Sequence, residues 1–169
     1  MFFSGGEIST RVQVVGTVDV RELSQHEMAR AERELWVHYH HQKVNKDKDR
    51  LFAAFSGTRI IGVARCTRHH DGLEVDEVYV LDEFRHRGFA RSIMQLLIIE
   101  CGRNETLYTH SRTELVEFYS GLGFYPISET ELPKSIWDQF SSTPVKRTEM
   151  CPMKRDPFPV SYGNDSKRT

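Results

Sequence analysis

Between Leu51 and Cys101 the chain changes its hydrophobic period once, and that change restricts the available folds more than any other feature of its 169 residues. Three runs read as strands: roughly 51–56 (LFAAFS), 59–67 (RIIGVARCT) and 73–81 (LEVDEVYVL). Ser56-Gly57-Thr58 and His70-Asp71-Gly72 are short enough to be turns, so the runs predict an antiparallel meander. From Gly88 the period switches. Ala90, Ile93, Met94, Leu97, Ile98 and Cys101 fall at helical spacing, an amphipathic helix ended by Gly102 and Asn104. A short strand over 106–110 leads to a capping-box pair, Ser111 with Glu114, and a helix with Leu115, Phe118, Tyr119 and Leu122 on one stripe. Gly121 and Gly123 stop it, and 124–131 reads as another strand. Alternation of strand and helix requires parallel pairing through right-handed crossovers. Meander plus crossover predicts an α/β (α+β mixed) class, with a central mixed, mainly antiparallel twisted sheet and helices on both faces.

The flanks extend this plan. Residues 11–20 alternate as a strand, and Ser24 with Glu27 forms an S-x-x-E box ahead of Met28, Ala31, Leu35, Trp36 and Tyr39 at helical spacing. That helix fades near the charged turn 45–49. Residues 133–140 form a short helix entered through Pro133, and 146–153 a last strand that Pro152 assigns to a sheet edge. No repeat is present, so the expectation is a single domain over 1–155 and a loose tail over 156–169.

Charge is nearly balanced, 23 Lys+Arg against 24 Asp+Glu, which argues against coating nucleic acid or a membrane surface. A local anion site remains open. Three cysteines, Cys66, Cys101 and Cys151, are odd in number and make no CxxC pair, so reduced and mostly buried thiols are expected. With no leader-like N-terminus and no apolar run long enough to span a bilayer, the expected location is the cytoplasm. His38 and His41 share a helix face but have no third ligand in sequence, so no metal is expected and a partly exposed helix end is the better reading. His69 and His70, in a turn, are read the same way.

One segment predicts a ligand: Arg85-His86-Arg87-Gly88-Phe89-Ala90, between a strand and a helix. A helix start leaves about four backbone N–H groups unpaired at the positive end of the helix dipole. Gly88 lets the backbone approach a ligand, Ala90 keeps the next turn clear, and Arg85 and Arg87 add charge, with His86 assisting when protonated. A pyrophosphate suits such a site. On these six residues alone, a glycine corner flanked by solvated arginines explains the pattern equally well.

The longer run Val78 to Ala90 resembles the signature of the GNAT superfamily of acyl-CoA-dependent N-acyltransferases: a strand ending in Val, then Arg/Gln-x-x-Gly-x-Gly/Ala opening a helix, met by Arg85, Gly88 and Ala90. Phe118-Tyr119-Ser120-Gly121-Leu122-Gly123-Phe124 resembles the family's F-Y-x-x-L-G-F run, and the element order agrees over roughly residues 10–130. The resemblance implies a fold and a set of roles. The amides of loop 85–90 (Arg85, His86, Arg87, Gly88, Phe89, Ala90) bind the pyrophosphate of acetyl-CoA. Val78 and Val80 offer backbone groups to the pantetheine arm and thioester. Tyr119 occupies the place of the acid near the thiol, though a core aromatic reading stands beside that one. Glu77 resembles the carboxylate base, with the adjacent Asp76 turned to the other face by strand alternation; a solvated carboxylate is the alternative. Arg112 stands where many members carry a pantetheine-contacting Asn, and either reaches a substrate carboxylate or is solvated.

The stretch from Gly123-Phe124-Tyr125-Pro126 through Leu132-Pro133-Lys134-Ser135 to Met150 is similar to the C-terminal end of bacterial N-acetylglutamate synthases. The expectation is therefore an N-acetyltransferase acting on a primary amine of a small molecule, including amino acids, by direct attack in a ternary complex. The alternatives are a non-catalytic acyl-CoA sensor and a protein or peptide N-acetyltransferase. Partners are acetyl-CoA and the amine, with neither nucleic acid nor membrane; a homodimer is left open.

Overall fold

The computed structural model describes residues 18–36, 43–142 and 147–160, with Glu77 and Arg147 described by backbone alone. Seven strands form one mixed sheet among the described residues, in the spatial order β1 (Asp19–Glu22), β2 (Asp49–Ser56), β3 (Arg59–His69), β4 (Gly72–Val80), β5 (Leu107–Arg112), β7 (Met150–Arg155) and β6 (Tyr125–Pro126). The meander is β2 (Asp49–Ser56), β3 (Arg59–His69) and β4 (Gly72–Val80), all antiparallel. Gly57, at φ +61°, makes the first turn in a conformation that favours glycine. β1 (Asp19–Glu22) adds to β2; the rest of the strand expected over 11–20 lies outside the described residues.

Helix α1 (Gln25–Ala31) starts at the expected box: the Glu27 amide donates to Ser24 Oγ at 3.3 Å and the Ser24 amide to Glu27 Oε2 at 3.0 Å. It widens into π-helical geometry over Glu32–Trp36. Met28, Ala31 and Leu35 are buried against Leu51, Ala53 and Val63 on one sheet face. Tyr39, His38, His40 and His41 lie outside the described residues. Helix α2 (Phe89–Cys101) covers the opposite face, burying Ile93, Met94, Leu97 and Ile98 on Phe52, Ile61 and Val75. Helices therefore cover both faces, as the periodicities required. β5 (Leu107–Arg112) then pairs parallel with β4, closing the crossover.

The C-terminal half corrects several expectations. Ser111 caps nothing: it lies in β5, 2% exposed, and its hydroxyl donates to the Arg112 carbonyl at 2.8 Å. Pairing of β5 with β7 (Met150–Arg155) carries the strand past Ser111, and the chain turns only at a 3-10 segment, Thr113–Leu115, before α3 (Val116–Ser120). The strand expected over 124–131 shrinks to β6 (Tyr125–Pro126), because Ser128 and Glu131 form a capping box of their own over Glu129–Glu131. β7 is not an edge strand; it lies between β5 and β6. The Ile127 amide donates to the Pro152 carbonyl at 3.0 Å, so Pro152 turns its nitrogen toward β6, beyond whose end no ladder bond is needed. Helix α4 (Lys134–Ser141) follows Pro133 as expected, its first turn held by Asp71 accepting from the Ser135 amide at 3.0 Å. Past β7, the Phe158 amide donates to the Arg103 carbonyl at 3.0 Å. His69 corrects the reading of an exposed turn: it ends β3, with Nε2 2.8 Å from Glu74 Oε2.

Candidate active site

β4 and β5 pair only at Leu73↔Leu107 and Glu74↔Tyr108, and beyond those residues the two strands pair no further. The cause lies in β4. Its register with β3 runs Val63↔Tyr79 and then Arg65↔Asp76, so Glu77 and Val78 together oppose Ala64. Such a bulge bends its strand and strengthens its twist. Past the bulge, the Leu81 amide donates to the Ile61 carbonyl at 2.9 Å. Antiparallel alternation then turns the Val80 amide and carbonyl away from β3, into the gap beside β5.

The loop 85–90 closes the same end of the gap. His86 (φ +62°) and Gly88 (φ +84°) both take the left-handed conformation, curling the chain into the start of α2. Gly88 is the N-cap and offers no side chain, and the first turn of α2 holds no acidic residue, so its amides point into solvent without a protein anion. A Cβ added at Gly88 would meet no atom within 4 Å, so the space before the helix start is clear of protein. The two arginines differ. Arg85 Nε donates to the Val80 carbonyl at 3.0 Å and its Nη2 lies 3.0 Å from Asp82 Oδ1, so it latches the loop to the strand end. Arg87 is exposed, with its guanidinium 5.6 Å from the Phe84 ring centroid. Arg91, which sequence reasoning missed, donates to the Gly121 carbonyl at 3.2 Å and joins the first turn of α2 to the end of α3. Only the chain's return after Tyr119 creates that acceptor, so no local pattern announces it.

Tyr119 stands on α3, 5% exposed, edge-on to Phe118 and Phe124 at 5.3 and 5.5 Å between ring centroids. Burial pushes its phenol up to about 12, with Thr109 of β5 acting in the opposite direction. The group therefore holds its proton at neutral pH. It belongs to the core cluster under α2 and also contacts β5 where that strand leaves β4. The core reading and the acid reading thus describe one buried phenol.

Asp76 and Glu77 are not the simple alternating pair that the sequence suggested, because the bulge falls on Glu77. Asp76 is claimed by Arg65, which donates through Nε at 2.7 Å and also through Nη2. Burial still holds its carboxyl up at about 6, and Arg65 opposes that. Arg65 reaches Asp49 as well, at 3.7 Å, and Asp49 accepts from Thr67 Oγ1 at 2.8 Å. Beside this network His110 stacks on Phe140, centroids 3.8 Å apart, with both ring nitrogens buried and without a hydrogen-bond partner among the described residues; burial lowers it to about 4. Arg112 is solvated, 67% exposed and 3.7 Å from Glu114, beside a cleft of about 200 Å³ shared with Thr148, Glu149 and Met150.

Divergent strands, a β4 backbone edge that β5 does not pair, and an uncapped helix start fit a long ligand with an anionic group near one end. Comparison with solved structures finds the same fold. Escherichia coli ElaA matches with TM-score 0.59 and 13% identity, over 82% of this chain and 99% of that one. N-acetylglutamate synthase from Neisseria gonorrhoeae, complexed with coenzyme A and L-arginine, matches with TM-score 0.63 and 14% identity over 84% of this chain but 34% of that one. The E. coli ribosomal-protein-S18-alanine N-acetyltransferase matches with TM-score 0.59 and 14% identity, over 87% of this chain and 97% of that one. No curated protein matches by sequence. The model of the acetyltransferase (GNAT) domain matches residues 18–139, most of the chain, and with the loop, the bulge and the parted strands in place the conclusion is that this chain belongs to the GNAT family of acyl-CoA-dependent acetyltransferases.

Proposed function

We propose that the protein transfers an acetyl group from acetyl-CoA to a primary amine of a small molecule, amino acids included, in the cytoplasm and by direct attack within a ternary complex. The observation that carries this reading is the parting of β4 and β5 at the end of the sheet where α2 begins uncapped. In that arrangement the amides of Arg85 to Ala90 hold the pyrophosphate, and the backbones of Val78 and Val80 align the pantetheine arm as an added strand. Arg85 acts by latching the loop to Val80, and the exposed Arg87, with no ion pair among the described residues, supplies charge to the anion. Glu77 takes the amine's proton directly or through water, because the neighbouring Asp76 carboxylate is bound by Arg65. Tyr119 gives its phenolic proton to the departing sulfur, a task suited to a group that stays protonated at neutral pH.

The test is amine-dependent release of CoA thiol from acetyl-CoA across amino acids, polyamines, aminoglycosides and peptides. Turnover with a small amine supports the reading. Turnover with peptides alone moves the acceptor to protein N-termini or side chains, and cofactor binding with no turnover on any amine sinks the enzymatic reading in favour of a sensor.

A further inference from the structure

β5 has two different sides where it leaves β4. Leu107 packs into the core under α2, so Thr109 shares that face by strand alternation, and Tyr108 and His110 take the opposite one. Glu74↔Tyr108 is the last β4–β5 pair, so Asp76 and His110 each stand two residues beyond it, on one face and at one level of the parted strands. His110 stacks on Phe140 of α4, yet neither of its buried ring nitrogens has a hydrogen-bond partner among the described residues. A buried polar atom left in that state costs about 1–3 kcal/mol, and an apolar ring would serve packing better. The surroundings carry surplus negative charge. Asp49, Glu74 and Asp76 share the face with one guanidinium, Arg65, which lies 3.7 Å from Asp49 and donates to Asp76 at 2.7 Å. His69 Nε2 lies 2.8 Å from Glu74 Oε2, and even a charged His69 leaves one carboxylate in excess. The cations at the margin have carboxylates of their own, Lys154 with Glu131 at 3.6 Å and Arg112 with Glu114 at 3.7 Å. Asp76 keeps 21% of its side chain exposed, so solvent reaches the face at this point.

We propose that His110 determines acceptor specificity: a ring nitrogen accepts a hydrogen bond from the primary amine beside the thioester, on a face that selects amines carrying no carboxylate. This rests on the acetyl transfer proposed above and narrows its acceptor to cationic amines such as diamines and amino-acid amides. Phe140, stacked on the ring, tilts aside to admit the amine. His110 is neutral at pH 7, since burial lowers it to about 4, so one ring nitrogen keeps a lone pair for the bond. It holds and orients the amine, and the amine's proton leaves to Glu77 as before. A carboxylate on the acceptor meets Asp49, Glu74 and Asp76 through a poorly screened interior and is repelled, whereas a second ammonium group is attracted. Thr109 and His110, neighbours in the chain, thus face the two halves of the reaction: the departing sulfur near Tyr119 on one side of the sheet, and the arriving amine on the other.

The experiment measures amine-dependent CoA release by the full chain with two matched pairs, putrescine against 4-aminobutyrate and glycinamide against glycine. The expected kcat/KM favours the first member of each pair by about tenfold or more. His110→Phe keeps the stack on Phe140 and removes both nitrogens. Its kcat/KM for putrescine should fall about 30-fold while the rise in Tm produced by acetyl-CoA stays unchanged, and His110→Gln, which restores a hydrogen-bond acceptor, should recover part of the loss. Preference for the carboxylate-bearing amines, an unchanged kcat/KM in His110→Phe, or loss of the acetyl-CoA effect on Tm in that variant would each overturn the proposal. A chain that turns over no amine removes the transfer reading alone, and NMR of the His110 ring in the CoA-bound, unsubstituted chain then decides. A shift of its signals on adding putrescine keeps the recognition site, and no shift overturns it.

Discussion

The two faces of the sheet are built from the same strands, yet they solve burial differently. Under α2, the side chains of Phe52, Ile61, Ala64, Leu73 and Val75 meet an apolar helix stripe, and polar groups stand at its margins: Arg50 paired with Glu22 beside Cys101, and Thr109, Ser111 and Tyr119 toward the gap. The opposite face is apolar only below α1. Toward β5 it carries Asp49, Arg65 and Asp76 as paired charges, Glu74 at hydrogen-bond distance from His69, and His110 under Phe140. Non-directional packing tolerates displacement by relaxation, whereas a buried charge network depends on each partner being present. The α2 face therefore acts as a platform that sets the position of the helix start, and the charged face acts as a rigid polar block beside the bulge.

The largest expected effect tests the charged face. Arg65→Met leaves the buried Asp49 and the half-buried Asp76 without their cation and should cost about 4 kcal/mol in urea denaturation, while Arg65→Met/Asp76→Leu recovers most of that loss. A cost below about 1 kcal/mol would show that the network is hydrated and contributes little. On the other face, Leu97→Ala removes a fully buried side chain and should cost about 3 kcal/mol through a cavity, with no rescue by a second polar change.

A third experiment separates the faces by pH. His110 is lowered from 6.5 to about 4 by burial, against the pull of Glu74. Below pH 6.5 the unfolded chain takes up a proton that the folded chain refuses, so this group's contribution is intact above 6.5 and is lost as pH falls toward about 4. After allowance for partial solvent screening the loss is about 1–2 kcal/mol, and His110→Phe should flatten that limb of the melting profile while Leu97→Ala leaves its slope unchanged. The smallest stability effect belongs to Tyr119→Phe, which removes one buried hydroxyl and should shift unfolding by about 1 kcal/mol or less. Its kcat should fall about 100-fold if the phenol is the acid. An unchanged kcat would return Tyr119 to a purely packing role.

The same S-x-x-E string occurs at Ser24 and at Ser111, and only the first caps a helix. Ser24 stands where a strand has ended and its amide has no ladder partner, so the local bonds decide. Ser111 has a cross-strand partner in Cys151, and the ladder with β7 satisfies its backbone before a cap can form. That competition depends on a strand forty residues away, which no local pattern reveals. Pro152 misled in the same manner: proline does exclude a ladder bond on one side, but the two-residue β6 leaves that side without one to lose. In the candidate site, Gly88 and the loop around it were readable because a helix start and its positive end are local physics. The latch from Arg85 to Val80, the bond from Arg91 to Gly121 and the network on Asp76 were not readable, since each depends on a partner brought in by the sheet.

By itself, the sequence determined the elements: three meander strands, one strongly amphipathic helix, and a glycine at its start able to adopt φ +84°. Periodicity and turn chemistry act over a few residues, so they survive without tertiary context. The tertiary structure alone decided that β7 enters the sheet beside β5, that a bulge at Glu77 and Val78 parts β4 from β5, and that Asp76 is bound to Arg65. Pairing partners and burial come from the whole chain, and the same side chain is a base, an ion-pair partner or a surface charge according to what the fold places beside it.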